Sequence, residues 1–313
     1  MSTFTRINQK NSPFFSVCIE IYNREETIEK VLTAVNKQSC RDFELIVVDN
    51  GSSDNSAKIV TKLLDSFRDV ETKFIKEDRK SSEISGWNRP LRFAKGRYIA
   101  ICEGDDYYRN DHLELAKNLL QEYPSAGIYV GGSKLEKFDT QVRLLMATDA
   151  LMKLKMLEWC PPPSCIVFAR ISKNQIPYYF DEDFVWAGEY SLYFEILKDG
   201  YDVIENNTEN FVVRGFRFYL KSSFHMQDVL RIRHKKYFEY SKNEELKVDA
   251  VLFYKAWQLL VFNLVFGKIE LELVRIIWKH FHLKSFSSIK LLQIILSALK
   301  NAISQLVKVK LLK

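Results

Sequence analysis

Short apolar runs alternate with segments of helical periodicity through the first 110 residues of this 313-residue chain, and each run ends in a polar turn. The run FFSVCIEIY, closing at Asn23, leads into a segment with Ile28, Val31, Leu32 and Val35 on one helical face. FELIVVD repeats the strand signal up to Asp49, and NGSSDNS then supplies turn and N-cap residues before a second helix carrying Val60, Leu63, Leu64 and Phe67. Further strands are predicted over Thr72–Lys76 and Arg97–Cys102, with a helix between them. A period of two giving way to 3.6, over and over, predicts an α/β fold with a mostly parallel sheet covered by helices. In such sheets a ligand crevice lies outside the carboxyl ends of the strands. Tyr22-Asn23, Asp49-Asn50-Gly51-Ser52 and Glu103-Gly104-Asp105-Asp106 fall at three such ends. Each alone is an ordinary turn; together they aim polar groups at one rim.

Beyond Asp111 the rhythm loosens. A helix through Leu113, Ala116 and Leu120, a strand at GIYVGG, a Pro161-Pro162-Pro163 break, a strand at SCIVFAR and a helix at GEYSLYFEILKDG closed by Gly200 are predicted. The five cysteines are odd in number and none are spaced two residues apart, so they read as buried small hydrophobes in a reducing compartment. The N-terminus lacks the apolar core of a secretory signal, which predicts a chain that starts in the cytoplasm. No run of 18 uncharged apolar residues occurs, which argues against a polytopic membrane protein.

Charge is segregated. From Lys268 to the end there are nine basic and two acidic residues, a surplus larger than the +6 of the whole chain. The body before it is near neutral, so nucleic acid is not an expected partner. In the tail, Ile289, Leu292, Leu296, Leu299, Ile303 and Leu306 form one helical stripe flanked by lysines. Two readings are open: peripheral contact with the anionic inner face of the cell membrane, or packing of the stripe against the body.

The EGDD turn places three carboxylates in four residues. Such crowding is relieved by a cation, and oxygen-only ligands suit Mn²⁺ or Mg²⁺ completed by water and a diphosphate. Zinc is disfavoured, since no His or Cys sits at ligand spacing. Capping of the helix near Asp111 accounts for the two aspartates but not for the glutamate.

The segments SVCIEIYNREETIEKVLTAVNKQSCRDFELIVVDNGSSDNS and WNRPLRFAKGRYIAICEGDDYY together resemble family 2 of the glycosyltransferases, inverting enzymes with a GT-A fold, from about Phe15 to Tyr108. The resemblance implies a GT-A (Rossmann-like) catalytic domain over residues 1–225. Its nucleotide-sugar half spans about 13–110 and its acceptor half about 111–225, with a helical, basic amphipathic C-terminal region over 226–313. It implies a nucleotide-sugar donor and a saccharide or lipid-linked acceptor, with a role in cell-envelope polysaccharide synthesis. Carried over by position, Asp105 is the main metal ligand with Asp106 in support. Glu103 and Gly104 face the donor, Tyr22 stacks near the base and Asp49 hydrogen-bonds it, with Asn23, Glu25, Gly51 and Asn88 nearby.

Several positions depart from the family pattern. Glu20-Ile21 replaces Pro-Thr, Asn50 replaces a second aspartate, Gly86-Trp87 replaces Ala-Arg, and Glu103 replaces the first Asp of the DxD element. The Trp87 exchange leaves Arg79 or Arg89 as candidate substitutes for the missing basic contact. Glu189, at the head of the GEYSLYFEILKDG helix and preceded by Gly188 rather than Glu, is the expected catalytic base, with Asp181, Glu182 and Asp183 as fallbacks. Two rival classes stand beside this reading. A sugar nucleotidyltransferase needs a Gly-rich basic loop after the first strand, and IYNREET has none; a non-catalytic scaffold on the same fold accounts for the altered motifs.

Overall fold

The computed structural model describes residues 12–132, 142–156, 160–184, 188–206 and 212–213. One compact unit takes in residues 1–154, 159–184 and 188–216; almost nothing of the second, which includes 217–313, falls among the described residues. The amphipathic stripe of the tail and the 225/226 boundary lie outside the described residues.

Strand β1 (Phe15–Ile21) leads to helix α1 (Ile28–Asn36), β2 (Phe43–Asp49), α2 (Ser56–Leu64), β3 (Thr72–Lys76), α3 (Glu83–Leu91) and β4 (Tyr98–Glu103). After the short β5 (Tyr107–Tyr108) come α4 (His112–Glu122), β6 (Ala126–Gly131), β7 (Val142–Leu145), α5 (Ala147–Lys155), β8 (Ile166–Ala169), α6 (Gly188–Lys198), β9 (Asp202–Asn206) and β10 (Val212–Val213). Eight strands form one sheet in the order β3-β2-β1-β4-β8-β6-β9-β7, and β5 pairs with β10 in a separate two-stranded sheet. Within the large sheet β3, β2, β1 and β4 run parallel to one another, as do β6 and β9. β8 is antiparallel to both β4 and β6, and β7 to β9, so four of seven pairings are parallel.

The apolar patterning explains these choices. Every residue of β2 and β6 is buried, the signature of strands covered on both faces. The buried face of α1 is Ile28, Val31, Leu32 and Val35, the stripe expected from its spacing. Each such side chain removed from water contributes roughly 2 kcal/mol. Helix α2 stops at Leu64, so Phe67, expected on its face, is buried instead from the turn that follows. The last helix ends at Gly200, whose φ of +77° suits a residue without a Cβ. Among the described residues no helix is long and apolar enough to cross a membrane. The cysteines are free, and all but Cys160 are buried.

His112, at the start of α4, is fully buried, 4.4 Å from the Tyr108 ring and 5.8 Å from that of Tyr129. Burial pushes its pKa from 6.5 down to about 3, with Asp111 opposing the shift and Arg109 adding to it. The imidazole is therefore neutral in the fold, whereas in the unfolded chain it takes up a proton below pH 6.5. Its contribution is full above that pH and is lost as pH falls toward 3. Between pH 6.5 and 5.0 the protein should lose about 1.5 kcal/mol more stability than its His112→Leu variant, measured by urea unfolding at the two pH values.

Candidate active site

The carboxyl ends of β1, β2 and β4 meet at one rim, and hydrogen bonds tie their loops together. The loop after β1 and the loop after β2 are joined reciprocally. Asn23 N donates to Ser52 Oγ (2.9 Å), Ser53 N to Asn23 Oδ1 (2.9 Å), Arg24 N to Ser56 Oγ (2.7 Å) and Glu25 N to Asp54 Oδ2 (3.1 Å). Glu25 Oε2 in turn accepts from Asn55 N and Nδ2. Burial would raise the Asp54 pKa, but hydrogen bonds from Ser56 and the Glu25 amide outweigh it and hold the carboxyl below its usual range. Asn23 sits at φ 51°, a left-handed conformation that asparagine tolerates. Thr27 Oγ1 donates to Gly104 O (2.6 Å), which fastens the β1 loop to the acidic turn after β4.

Asp49 closes β2 with 0 % exposure. Its Oδ1 accepts from Ser52 N (2.9 Å), while Oδ2 is buried with no partner. Arg24 Nε is likewise buried and unpartnered, and its Nη1 makes only long contacts to the Tyr22 and Asn23 carbonyls, at 3.3 and 3.4 Å. Native interiors rarely leave such atoms unmet, so a partnerless acceptor and a partnerless donor on one rim point to a ligand. Tyr22 is half-buried, and Lys80 Nζ stands 3.7 Å from its ring centroid. Lys80 escaped notice in the sequence because it lies on an unremarkable polar stretch, KEDRKSS, with nothing to tie it to Tyr22.

Gly51 holds φ +80°, and a Cβ there would lie 2.7 Å from Lys80 N and 2.8 Å from Arg79 C. The β2 loop can pass beneath the Arg79–Lys80 backbone only without a side chain.

In the acidic turn, Asp105 is half-buried and Asp106 is 3 % exposed. The Cys102 thiol is pushed well up, first by burial and then by the negative charges of Asp106, Glu103 and Asp105 around it. The three carboxylates therefore crowd the end of β4. Among the described residues, however, no three His, Cys, Asp or Glu side chains enclose a metal site. An oxygen-only donor set that is incomplete by itself fits a hard divalent ion whose shell is finished by water and substrate oxygens. Ser164, which sequence reading passed over, accepts from Glu103 N (3.0 Å) and donates to Glu103 Oε2 (3.3 Å).

Glu189 lies in the first turn of α6 and is half-buried. Tyr193, one turn on, donates to Pro161 O, and its pKa is raised well above normal by burial, then by the charges of Cys160, Glu189, Cys165 and Glu103. Glu189 and Glu103 both contribute to raising the pKa of this one buried tyrosine. Gly188 fills a tight spot: a Cβ would fall 2.6 Å from Ile84 Cδ1, so any side chain there requires Ile84 to shift.

Asn88 is turned to another task. It is 3 % exposed, and its amide donates to Phe180 O (2.9 Å) and Glu182 Oε1 (3.0 Å) while accepting from Phe180 N (2.9 Å). Trp87 packs edge-on against Phe180 at 5.2 Å. Of the cations weighed for the missing basic contact, Arg89 pairs with Glu77 at 3.4 Å and Arg79 is exposed. Asp181 N donates to Ser191 Oγ and Asp183 N to Asp181 Oδ1, so that loop is braced internally.

A rim of this kind, at the carboxyl ends of parallel strands, is where open α/β sheets receive their ligands. Residues 16–160, somewhat under half of the chain, match the model of glycosyl transferase family 2. Over 184 residues it is 28 % identical to the UDP-Glc:alpha-D-GlcNAc-diphosphoundecaprenol beta-1,3-glucosyltransferase WfgD of Escherichia coli, covering 59 % of this chain and 70 % of the relative. Of several other curated relatives the chain spans only between 38 % and 58 % of the length. The fold is GT-A. It is shared with the mannosyltransferase PcManGT of Pyrobaculum calidifontis in complex with GDP-Man and Mn²⁺, at TM-score 0.60 and 17 % identity, over 95 % of this chain and 88 % of that one. It is shared also with S. aureus TarS 1-349 in complex with UDP-GlcNAc, at TM-score 0.54 and 18 % identity, over 79 % and 70 %.

Replacing Gly51 by alanine should destabilise the domain by about 1–3 kcal/mol, because it combines a left-handed backbone with a backbone clash; chemical unfolding of the variant measures it.

Proposed function

We propose that this protein is an inverting, divalent-metal-dependent glycosyltransferase. It moves a sugar from a nucleotide-sugar donor to a saccharide or lipid-linked acceptor in cell-envelope polysaccharide synthesis. The observation that carries the reading is the buried, unpartnered Oδ2 of Asp49 beside Tyr22, on the rim that also bears the acidic turn. A buried carboxylate oxygen with no donor gains a full charge-assisted hydrogen bond when an N–H is delivered to it. Uracil and guanine both offer a ring N–H, and the names of the similar structures include a UDP-sugar and a GDP-sugar complex. The name of the bacterial relative, with its diphosphoundecaprenol acceptor, supports a lipid-linked acceptor here.

In this reading Tyr22 offers its ring to the base, Asp49 orients it, and Gly51 lets the β2 loop come close. Asn23 and Glu25 hold the two loops in register through Ser52, Ser53 and Asn55. Glu103, fixed by Ser164, faces the donor with Gly104. Asp105, supported by Asp106, would hold Mn²⁺ or Mg²⁺, which supplies charge neutralisation at the departing diphosphate. The half-buried Glu189 accepts the proton of the incoming hydroxyl, and its position in the first turn of a helix favours the ionised form that a base needs. Attack from the face opposite the diphosphate gives inversion. The basic tail would supply peripheral contact with the inner face of the membrane, and the protein would work from the cytoplasm.

Two substitutions test the assignment. Asp105→Asn should abolish Mn²⁺-stimulated hydrolysis of a nucleotide-sugar panel while leaving the melting midpoint near that of the parent; unchanged turnover refutes the metal role. Glu189→Gln should lower kcat by a factor of about 100 or more with little change in donor affinity. An equal loss of donor binding, read by calorimetry, would place that side chain in the donor pocket instead.

A further inference from the structure

Three of the positions at which this chain departs from its family's pattern touch one another. Glu20 lies on β1, Asn50 just after β2 and Gly86 on α3. Asn50 Nδ2 donates to Glu20 Oε1 at 2.9 Å. A Cβ added at Gly86 would fall 2.9 Å from both of those atoms, so even the alanine usual in the family would press on the pair. Asn50 is 1 % exposed, and its amide is fully engaged. Oδ1 accepts from Ser81 N (2.8 Å) and Ser81 Oγ (2.9 Å), with Arg89 Nη1 at 3.5 Å, while Nδ2 also reaches Ser81 O at 3.4 Å. The partners decide which way the amide points. The Ser81 N–H can only donate and the Glu20 carboxylate accepts, so oxygen faces Ser81 and nitrogen faces Glu20.

An aspartate at position 50 would set a second carboxylate oxygen where Nδ2 now lies, 2.9 Å from Glu20 Oε1. Two carboxylates at that distance cannot both be ionised without a strong penalty. Glu20 thus accounts for the neutral residue at 50, and Gly86 for the space the pair occupies. Ser81 follows Lys80, whose ammonium stands over Tyr22, and the Arg79–Lys80 backbone lies against Gly51. Whatever holds Ser81 therefore holds the wall beside Tyr22 and Asp49.

We infer that Glu20 and Asn50 are a positioning pair: the Glu20 carboxylate locks the Asn50 amide, and the amide fixes the Arg79–Ser82 segment as one wall of the base-binding subsite. The inference rests on the proposal that Tyr22 and Asp49 receive the nucleotide base. Calorimetric binding of UDP and of GDP, with Mn²⁺ present, to the full chain and to Asn50→Asp, Asn50→Ser, Glu20→Gln and the double variants E20Q/N50D and E20Q/N50S tests it, with melting midpoints recorded alongside. Asn50→Asp should weaken binding of whichever nucleotide the parent takes by about tenfold or more, and adding Glu20→Gln should restore most of that loss. Asn50→Ser, which removes the bridge without adding charge, should weaken binding and gain nothing from Glu20→Gln; it carries the test if Asn50→Asp does not fold. Parent-like binding by Asn50→Asp or by Asn50→Ser, or an E20Q/N50D variant no tighter than Asn50→Asp, overturns the inference. A parent that binds neither nucleotide overturns the glycosyltransferase reading itself, an outcome distinct from a failed rescue.

Discussion

Everything at the rim depends on an acceptor placed where water does not reach it. Asp49 ends a strand buried on both faces, and the fold supplies one N–H for its two oxygens. Leaving a buried polar group unmet costs about 1–3 kcal/mol, and more for a charged one. A domain whose net stability is only about 5–15 kcal/mol tolerates such a defect where a ligand repairs it. The parallel order β3-β2-β1-β4 sets Asp49, Tyr22 and the acidic turn at neighbouring strand ends. The reciprocal bonds between the β1 and β2 loops then keep those ends from drifting apart.

Much of this was legible in the residues. The stripe of α1, the two-sided burial of β2 and β6, and the glycine that ends α6 follow from local spacing, and the structure reproduces them. What local pattern cannot carry is pairing. β8 reads as a strand, but only the assembled sheet sets it antiparallel between β4 and β6. The two-residue strands β5 and β10, and the exposed β7, carry no period long enough to detect.

The same division holds at the site. Tyr22, Asp49 and Gly51 announce themselves by standing at strand ends in turn-forming sequence. Asn88 stood in a matching motif, yet its amide braces the Phe180–Glu182 loop. Lys80 and Ser164 matter through contacts with residues 58 and 61 positions away, and nothing in their own neighbourhoods reports this. The departures at 20, 50 and 86 looked like three independent losses in the sequence. In space they are one carboxylate–amide pair and the gap that admits it.

The double attachment of Ser164 to Glu103 has a mechanical meaning. Ser164 sits in the turn behind three prolines and just ahead of β8, while Glu103 terminates β4. A single hydroxyl therefore rivets the proline turn to the carboxyl end of β4. Any displacement of the proline turn is relayed to the Glu103 carboxylate through that one hydroxyl.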